Sequence, residues 1–272
     1  MQLLTRHLTK SGITVFAADT LTLELPVTRV SSAELCENAD LVIAIGGDGT
    51  MLYASRLARE SGTPILGINR GRLGFLADVP TDEMIASVDQ VLSGNYSRDS
   101  RMLLEAHLHK ESGEQCTGFA LNDVVLQRRE TGRMVDFSTE VAGHFVNTHS
   151  GDGLIIATPT GSTAYALSCG GPIIEPQLNA VAIVPICPHT LTDRPLVIPA
   201  DQPIEVVLLE RDDTKAEITV DGHSMGEIRP ADRLIIAASE QRIVLIHPPG
   251  YDFYGILRSK LLWGRDNRQR ND

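Results

Sequence analysis

The sequence predicts an α/β N-terminal domain built on a parallel sheet, followed by a predominantly all-β C-terminal domain. Three observations carry this prediction. Up to about residue 98, short apolar runs alternate with amphipathic stretches, the rhythm of strands joined by helices. From about residue 102 the apolar runs have strand length, are rich in Val and Ile, and are separated by Gly, Asp or Pro turns. The chain has 272 residues, which at about 150 residues per domain suits two domains that each bury a core.

Along the chain, ITVFA at 13–17, LVIAI at 41–45 and PILGI at 64–68 are the short apolar runs, with helical patterns between them. The helix after LVIAI is the best defined, because Met51, Leu52, Ala54, Leu57 and Ala58 recur at helical spacing before Gly62 and Pro64 stop it. A second helix is expected from Thr81 to Leu92, with Thr81 as its cap and the acids of TDE at its positive end. The first domain is thus expected over 1–98 and the second over 99–248. Strands of the second begin with LLEAHLH, FALNDVVL and MVDFSTEVA and end with RLIIAA and RIVLIH, with one helical interruption in STAYALSCGG.

Composition narrows the function. The 24 Lys and Arg against 35 Asp and Glu give a net charge of −11, which argues against a dedicated nucleic-acid binder. No run approaches the roughly 18 apolar residues that a membrane helix needs. The four cysteines, Cys36, Cys116, Cys169 and Cys187, form no close pair, so a reducing cytoplasmic setting is expected rather than a disulfide framework.

Gly46-Gly47-Asp48-Gly49-Thr50 follows an apolar strand and opens a helix. Such a turn lets backbone N–H groups approach phosphate oxygens, and the helix N-terminus adds positive potential. A carboxylate placed there is repelled by polyphosphate unless it grips a metal or takes a proton from a hydroxyl, so Asp48 suits a base in phosphoryl transfer. The plainer alternative makes Asp-Gly a tight turn and Thr50 a helix cap. No P-loop and no G-x-G-x-x-G after a strand is present.

The stretch from Ser150 through Asp152 to Tyr165 crowds glycines, hydroxyls and one aromatic into a single connection, suited to ribose and base edges. Its plainer version is a hairpin at Asp152-Gly153 and Ser/Thr caps on a short helix at 163–168. Asn122-Asp123 offers donors and acceptors to a ribose or adenine, or forms an Asx turn. Arg133 is a phosphate clamp or a surface charge, and His223, after Val220-Asp221-Gly222, is a turn residue or a ligand contact. His107 and His109 alternate on one strand without a third ligand nearby, and His189 has no assigned role.

GGDGT, GINRGRLGFL at 67–76, LNDVV at 121–125, DGLIIATPTGSTAYALSCGGPI at 152–173 and PICPHTLTDRPLVI at 185–198 together resemble the bacterial NAD kinase family, and the similarity extends to IHPPGYDFYGILRSKLLW. GGDGT alone is shared with lipid kinases and phosphofructokinases; the TPTGSTAY stretch is specific. The resemblance implies a Rossmann-like first domain, completed by the tail at 249–272, and ATP-dependent phosphorylation of the 2′-hydroxyl of the adenosine ribose of NAD, with Mg²⁺ or another divalent cation. It makes Asp48 the proton acceptor and Gly49 its neighbour in the site. Asn122, Asp123, Arg133, Ser150, Asp152, the run Thr163, Ala164, Tyr165, Ala166, Leu167 and Ser168, and His223 become NAD contacts. A homodimer or homotetramer is also implied. Family members begin with a strand before the first helix, whereas this chain opens in that helix, so either the start lies upstream or the sheet lacks an outer strand. A lipid kinase and a non-catalytic NAD sensor are the alternatives.

Overall fold

The computed structural model describes residues 1–19, 21–22, 24–71, 74–129, 134–210 and 214–263. The chain divides into two compact units, Met1–Ser100 with Ile243–Asp272, and Arg101–Arg242. Both divisions fall inside long strands rather than in loops, so the first unit ends its sheet with residues that follow the second in sequence.

The first unit contains α1 (Gln2–Lys10), β1 (Phe16–Ala18), β2 (Thr28–Val30), α2 (Ser32–Glu37), β3 (Val42–Gly46), α3 (Asp48–Ala58), β4 (Ile65–Asn69), β5 (Val79–Pro80) and α4 (Met84–Leu92). Strands β3, β4 and β5 are parallel, with Val42 opposite Ile65 and Ile68 opposite Val79. Strand β4 is buried along its whole length, which is why PILGI reads as one apolar run. Leu4 and Leu8 of α1 and Met84, Val88 and Val91 of α4 pack with Leu66 and Ile68 of β4, so helical spacing on two helices meets one sheet. Strands β1 and β2 form a separate parallel pair. An apolar cavity of about 620 Å³ lies among Leu4, Phe16, Ile43, Leu57 and Val88.

One sequence expectation, the Thr81 cap, and one plainer alternative, the Thr50 cap, fail. Thr81 does not cap α4: its hydroxyl donates to Asn69 O at 2.8 Å, and the N-cap is Glu83, without a side-chain bond. Thr50 does not cap α3, whose N-cap is Gly47; Thr50 is inside the helix, and a Cβ on Gly46 would collide with it.

The second unit begins within β6 (Ser97–His109) and continues through β7 (Gln115–Ala120), β8 (Asp123–Arg128), β9 (Val135–Val141), β10 (His144–Gly151), β11 (Gly153–Ala157), a 3-10 turn at Gly161–Thr163, α5 (Tyr165–Ser168), β12 (Ala180–Ile186), β13 (Leu196–Pro199), β14 (Ile204–Leu208), β15 (Ala216–Val220) and β16 (His223–Ile228). It ends within β17 (Arg233–His247), and α6 (Phe253–Leu261) belongs to the first unit. One antiparallel sheet has the order β13-β12-β11-β8-β15-β16, and β10, β9, β14 and the start of β17 form another antiparallel run. Alternation explains the sheet's two faces. Val124, Leu126, Leu154 and Ile156 enter one core with Phe137, while Val125, Ile155 and Ala157 enter another with Ala166 of α5. Strand β11 is therefore covered on both faces, and no residue of GLIIA is polar.

Candidate functional site

In the first unit, β3 ends at Gly46 and α3 starts two residues later with Asp48. A Cβ on Gly47 or Gly49 would meet nothing within 4 Å, so both positions leave the backbone open to an approaching ligand. Asp48 is partly exposed. Its carboxylate accepts N–H bonds from Phe75 and Leu76, both at 3.0 Å, and from Ala77 at 3.5 Å. A Cβ on Gly74 would collide with Asp48 Oδ1, so this close approach explains the second glycine of GRLG. Asn69 braces the same turn, donating from Nδ2 to Ala77 O at 3.2 Å and accepting from Gly71 N at 2.7 Å. The sequence marks Asp48; the backbone donors that orient it carry no side-chain signal.

In the second unit, Asn122 and Asp123 stand at the entry to β8. Asp221, in the turn between β15 and β16, accepts N–H bonds from Leu121 and Asn122 at 2.8 Å and from Asp123 at 3.2 Å. Asp123 is 6% exposed, and burial, together with the nearby Asp221 charge, pushes its carboxyl up to about 7. Burial also raises the pKa of Asp221, against the three amide bonds that favour its charge. Sequence reasoning missed Asp221 because Asp-Gly reads as a hairpin signal. The hairpin is real, with positive φ of 47° at Asp221 and 77° at Gly222, but the carboxylate also bonds back to the LND segment. His223 follows the turn and is exposed at the start of β16.

The TPTGST segment packs onto Asn122. Thr158 N donates to Asn122 O at 2.9 Å, Thr158 Oγ1 donates to Leu121 O at 2.5 Å, and a Cβ on Gly161 would collide with Asn122 O. Ser162 is fully buried; its hydroxyl donates to Pro159 O at 2.6 Å and accepts from Ile174 N at 2.9 Å. The expectation that the hydroxyls of this stretch face a ligand is therefore corrected for Thr158 and Ser162, which fold the turn itself. Thr163 Oγ1 donates to Thr160 O at 3.2 Å. Ala164 is half-buried, Tyr165 exposed, Ala166 buried, Leu167 half-buried and Ser168 exposed. Burial raises the Tyr165 phenol, with Cys169, Cys187 and Asp152 adding to the shift, so these groups share one neighbourhood.

Asp152-Gly153 is not a hairpin. It carries the chain from β10 to β11, which lie in different sheets, and a Cβ on Gly153 would collide with Leu126 O. Asp152 pairs with Arg128 Nε at 2.9 Å, and Ser150 Oγ bonds Asp136 Oδ1. Arg133 lies outside the described residues. Among the described residues no group of three or more His, Cys, Asp or Glu is placed to hold a metal; His107 instead bonds Thr117 and Glu105.

A carboxylate at a glycine-rich strand-to-helix turn without a P-loop, in a chain with a second, β-rich unit, is the arrangement of a nucleotide-binding protein outside the P-loop class. The comparisons narrow this. The model of the ATP-NAD kinase N-terminal domain matches residues 4–96, and that of the C-terminal domain matches residues 121–248. The NAD kinase of Nitrosococcus oceani is 46% identical over 87% of this chain and 80% of that protein, and that of Hahella chejuensis is 40% identical over 98% and 91%. Yeast NADH kinase, solved in complex with NADH, superposes with a TM-score of 0.88 at 25% identity, covering 98% of this chain and 84% of that one. An Archaeoglobus fulgidus NAD kinase, solved with ATP, gives 0.70 at 27% identity, covering 93% and 92%. The chain belongs to the ATP-NAD kinase family.

Proposed function

We propose that the chain transfers the γ-phosphoryl group of ATP to the 2′-hydroxyl of the adenosine ribose of NAD, with Asp48 as the proton acceptor. Asp48 takes the hydroxyl proton as the oxygen bonds the γ-phosphorus, the bond from phosphorus to the β,γ-bridging oxygen breaks, and ADP and NADP leave. The observation that carries this reading is the grip on the Asp48 carboxylate by three backbone amides beside two open glycines. Fixed donors orient the carboxylate without a mobile side chain, which lowers the cost of holding a near-attack geometry.

Mg²⁺ enters as part of the substrate, held by the ATP phosphates and neutralising their charge. Gly49 borders the phosphates. Asn122, Asp123, Asp152, Ser150, Tyr165 with its neighbours from Thr163 to Ser168, and His223 line the dinucleotide. The Asp221 bonds to the 121–123 amides hold Asn122 and Asp123 in one arrangement.

The first domain serves as a Rossmann-like nucleotide half, with its tail from 249 returned to it; residues 264–272 of that tail lie outside the described residues. The resemblance to the family supports a homodimer or homotetramer. Four free cysteines suit a reducing cytoplasm. No described helix is long and apolar enough to cross a membrane.

The test is an NADP-formation assay with NAD, ATP and Mg²⁺, run with a lipid acceptor in parallel. NADP formation is expected. NAD binding without turnover would establish the sensor, and phosphorylation of the lipid alone the lipid kinase.

A further inference from the structure

His247 ends β17 and is 1% exposed. Its Nδ1 lies 2.9 Å from Asp78 Oδ2 and its Nε2 lies 3.3 Å from Asp99 Oδ2. The ring stacks on Tyr251 with centroids 3.7 Å apart. An imidazole with a carboxylate at each nitrogen satisfies both only when both nitrogens carry a proton, so the pocket selects the imidazolium. Burial opposes that charge, but the hydrogen bonds and charges of Asp78 and Asp99 outweigh it and leave the His247 pKa above its usual value.

Asp78 directly follows the three residues whose amides hold the Asp48 carboxylate. Its Oδ1 is buried with no partner among the described residues, so the bond from Oδ2 to His247 fixes this side chain. We infer that His247 is a positioning residue for phosphoryl transfer: clamped by Asp99, its imidazolium anchors Asp78 and thereby sets the Phe75–Ala77 amides against Asp48. The inference rests on Asp48 being the proton acceptor.

The groups around the clamp are Asp78 before β5, Asp99 on β6, Tyr251 after β17, the Ser97 hydroxyl on His247 O at 3.5 Å, and Lys260 of α6, 5.3 Å over the Phe75 ring. Because the folded pKa of His247 is raised, the clamp is complete below the unfolded value of about 6.5 and is lost as pH rises through the folded one. Turnover is therefore expected to fall on the alkaline side through this group.

The experiment compares wild type, His247→Gln and Asp48→Asn by steady-state kinetics across pH, with amide NMR of Phe75, Leu76 and Ala77. His247→Gln should lower kcat by about 10- to 100-fold while leaving KM for NAD within about twofold, and the alkaline limb should disappear. In wild type the three amide resonances should shift together with the His247 ring titration; in the variant they should be flat across that range. If His247→Gln does not fold, Asp99→Asn keeps the ring, removes one carboxylate, and should move the alkaline limb to lower pH. An unchanged kcat and alkaline limb in His247→Gln, or amide resonances that ignore the ring titration, would overturn the clamp. Full turnover in Asp48→Asn would instead overturn the proton-acceptor reading, and the clamp's catalytic meaning with it.

Discussion

Asp48 in the first unit and Asp221 in the second are each held by three consecutive backbone amides from a distant stretch of chain, 75–77 for one and 121–123 for the other. The surroundings differ. Asp48 opens an 11-residue helix, whose N-terminus favours negative charge, and its flanking glycines leave the backbone approachable. Asp221 sits in a hairpin turn beside the buried Asp123, and burial drives both carboxyls upward. The same grip therefore serves a group open to chemistry in one place and a group that shapes the backbone in the other. What separates them is solvent and neighbouring charge, not the number of amide bonds.

Substitutions sharpen the contrast. Asp48→Asn should cost about two to four orders of magnitude in NADP formation while NAD binding, read by calorimetry, persists. Turnover near wild type would remove the distinction between the two carboxylates. Gly74→Ala keeps Asp48 but drives a methyl into its Oδ1; a loss of about 10- to 100-fold in kcat with little change in melting temperature is expected. Asp221→Asn leaves one carbonyl acceptor for three amides, so the second unit should lose about 1–3 kcal/mol in denaturant unfolding, with weaker NAD binding.

The smallest effect concerns Asp123. Its folded pKa, about 7, lies above the ordinary aspartate value of about 4, so as pH rises from about 4 the unfolded chain loses this proton first. Its contribution therefore lowers stability between those values and levels off above about 7. Asp123→Asn should remove this slope, so that the stability of the variant relative to wild type rises from pH 4 to pH 8, as read by thermal melts.

The sequence exposes those parts of the site whose chemistry is written in local order. GGDGT is legible because an apolar strand, a glycine turn and a helical repeat follow one another, and the structure has β3 and α3 there. The grip on Asp48 is not legible, since its donors are main-chain N–H groups 27 to 29 positions away and any residue type supplies them. Gly74 is the one trace of it. Asp221 was hidden for a related reason: V-D-G-H announces a hairpin, and nothing local says that its carboxylate reaches back about 100 positions to Leu121. A hydroxyl-rich run likewise does not reveal which hydroxyls turn inward, and Thr158 and Ser162 do. Thr81 looked like a cap for the same kind of reason, but the carbonyl of Asn69 competes for its hydroxyl.

Both gripped carboxylates are followed by glycine, the pairing in which an aspartate most readily cyclises to a succinimide and reopens as isoaspartate. That ageing reaction needs the carboxyl carbon to swing onto the nitrogen of the next residue. At Asp48 and Asp221 the oxygens are already committed to amides elsewhere in the chain, so the swing first requires local opening. The amide grips thus act as preservatives, protecting the covalent backbone at two sites where its chemistry would otherwise be fragile.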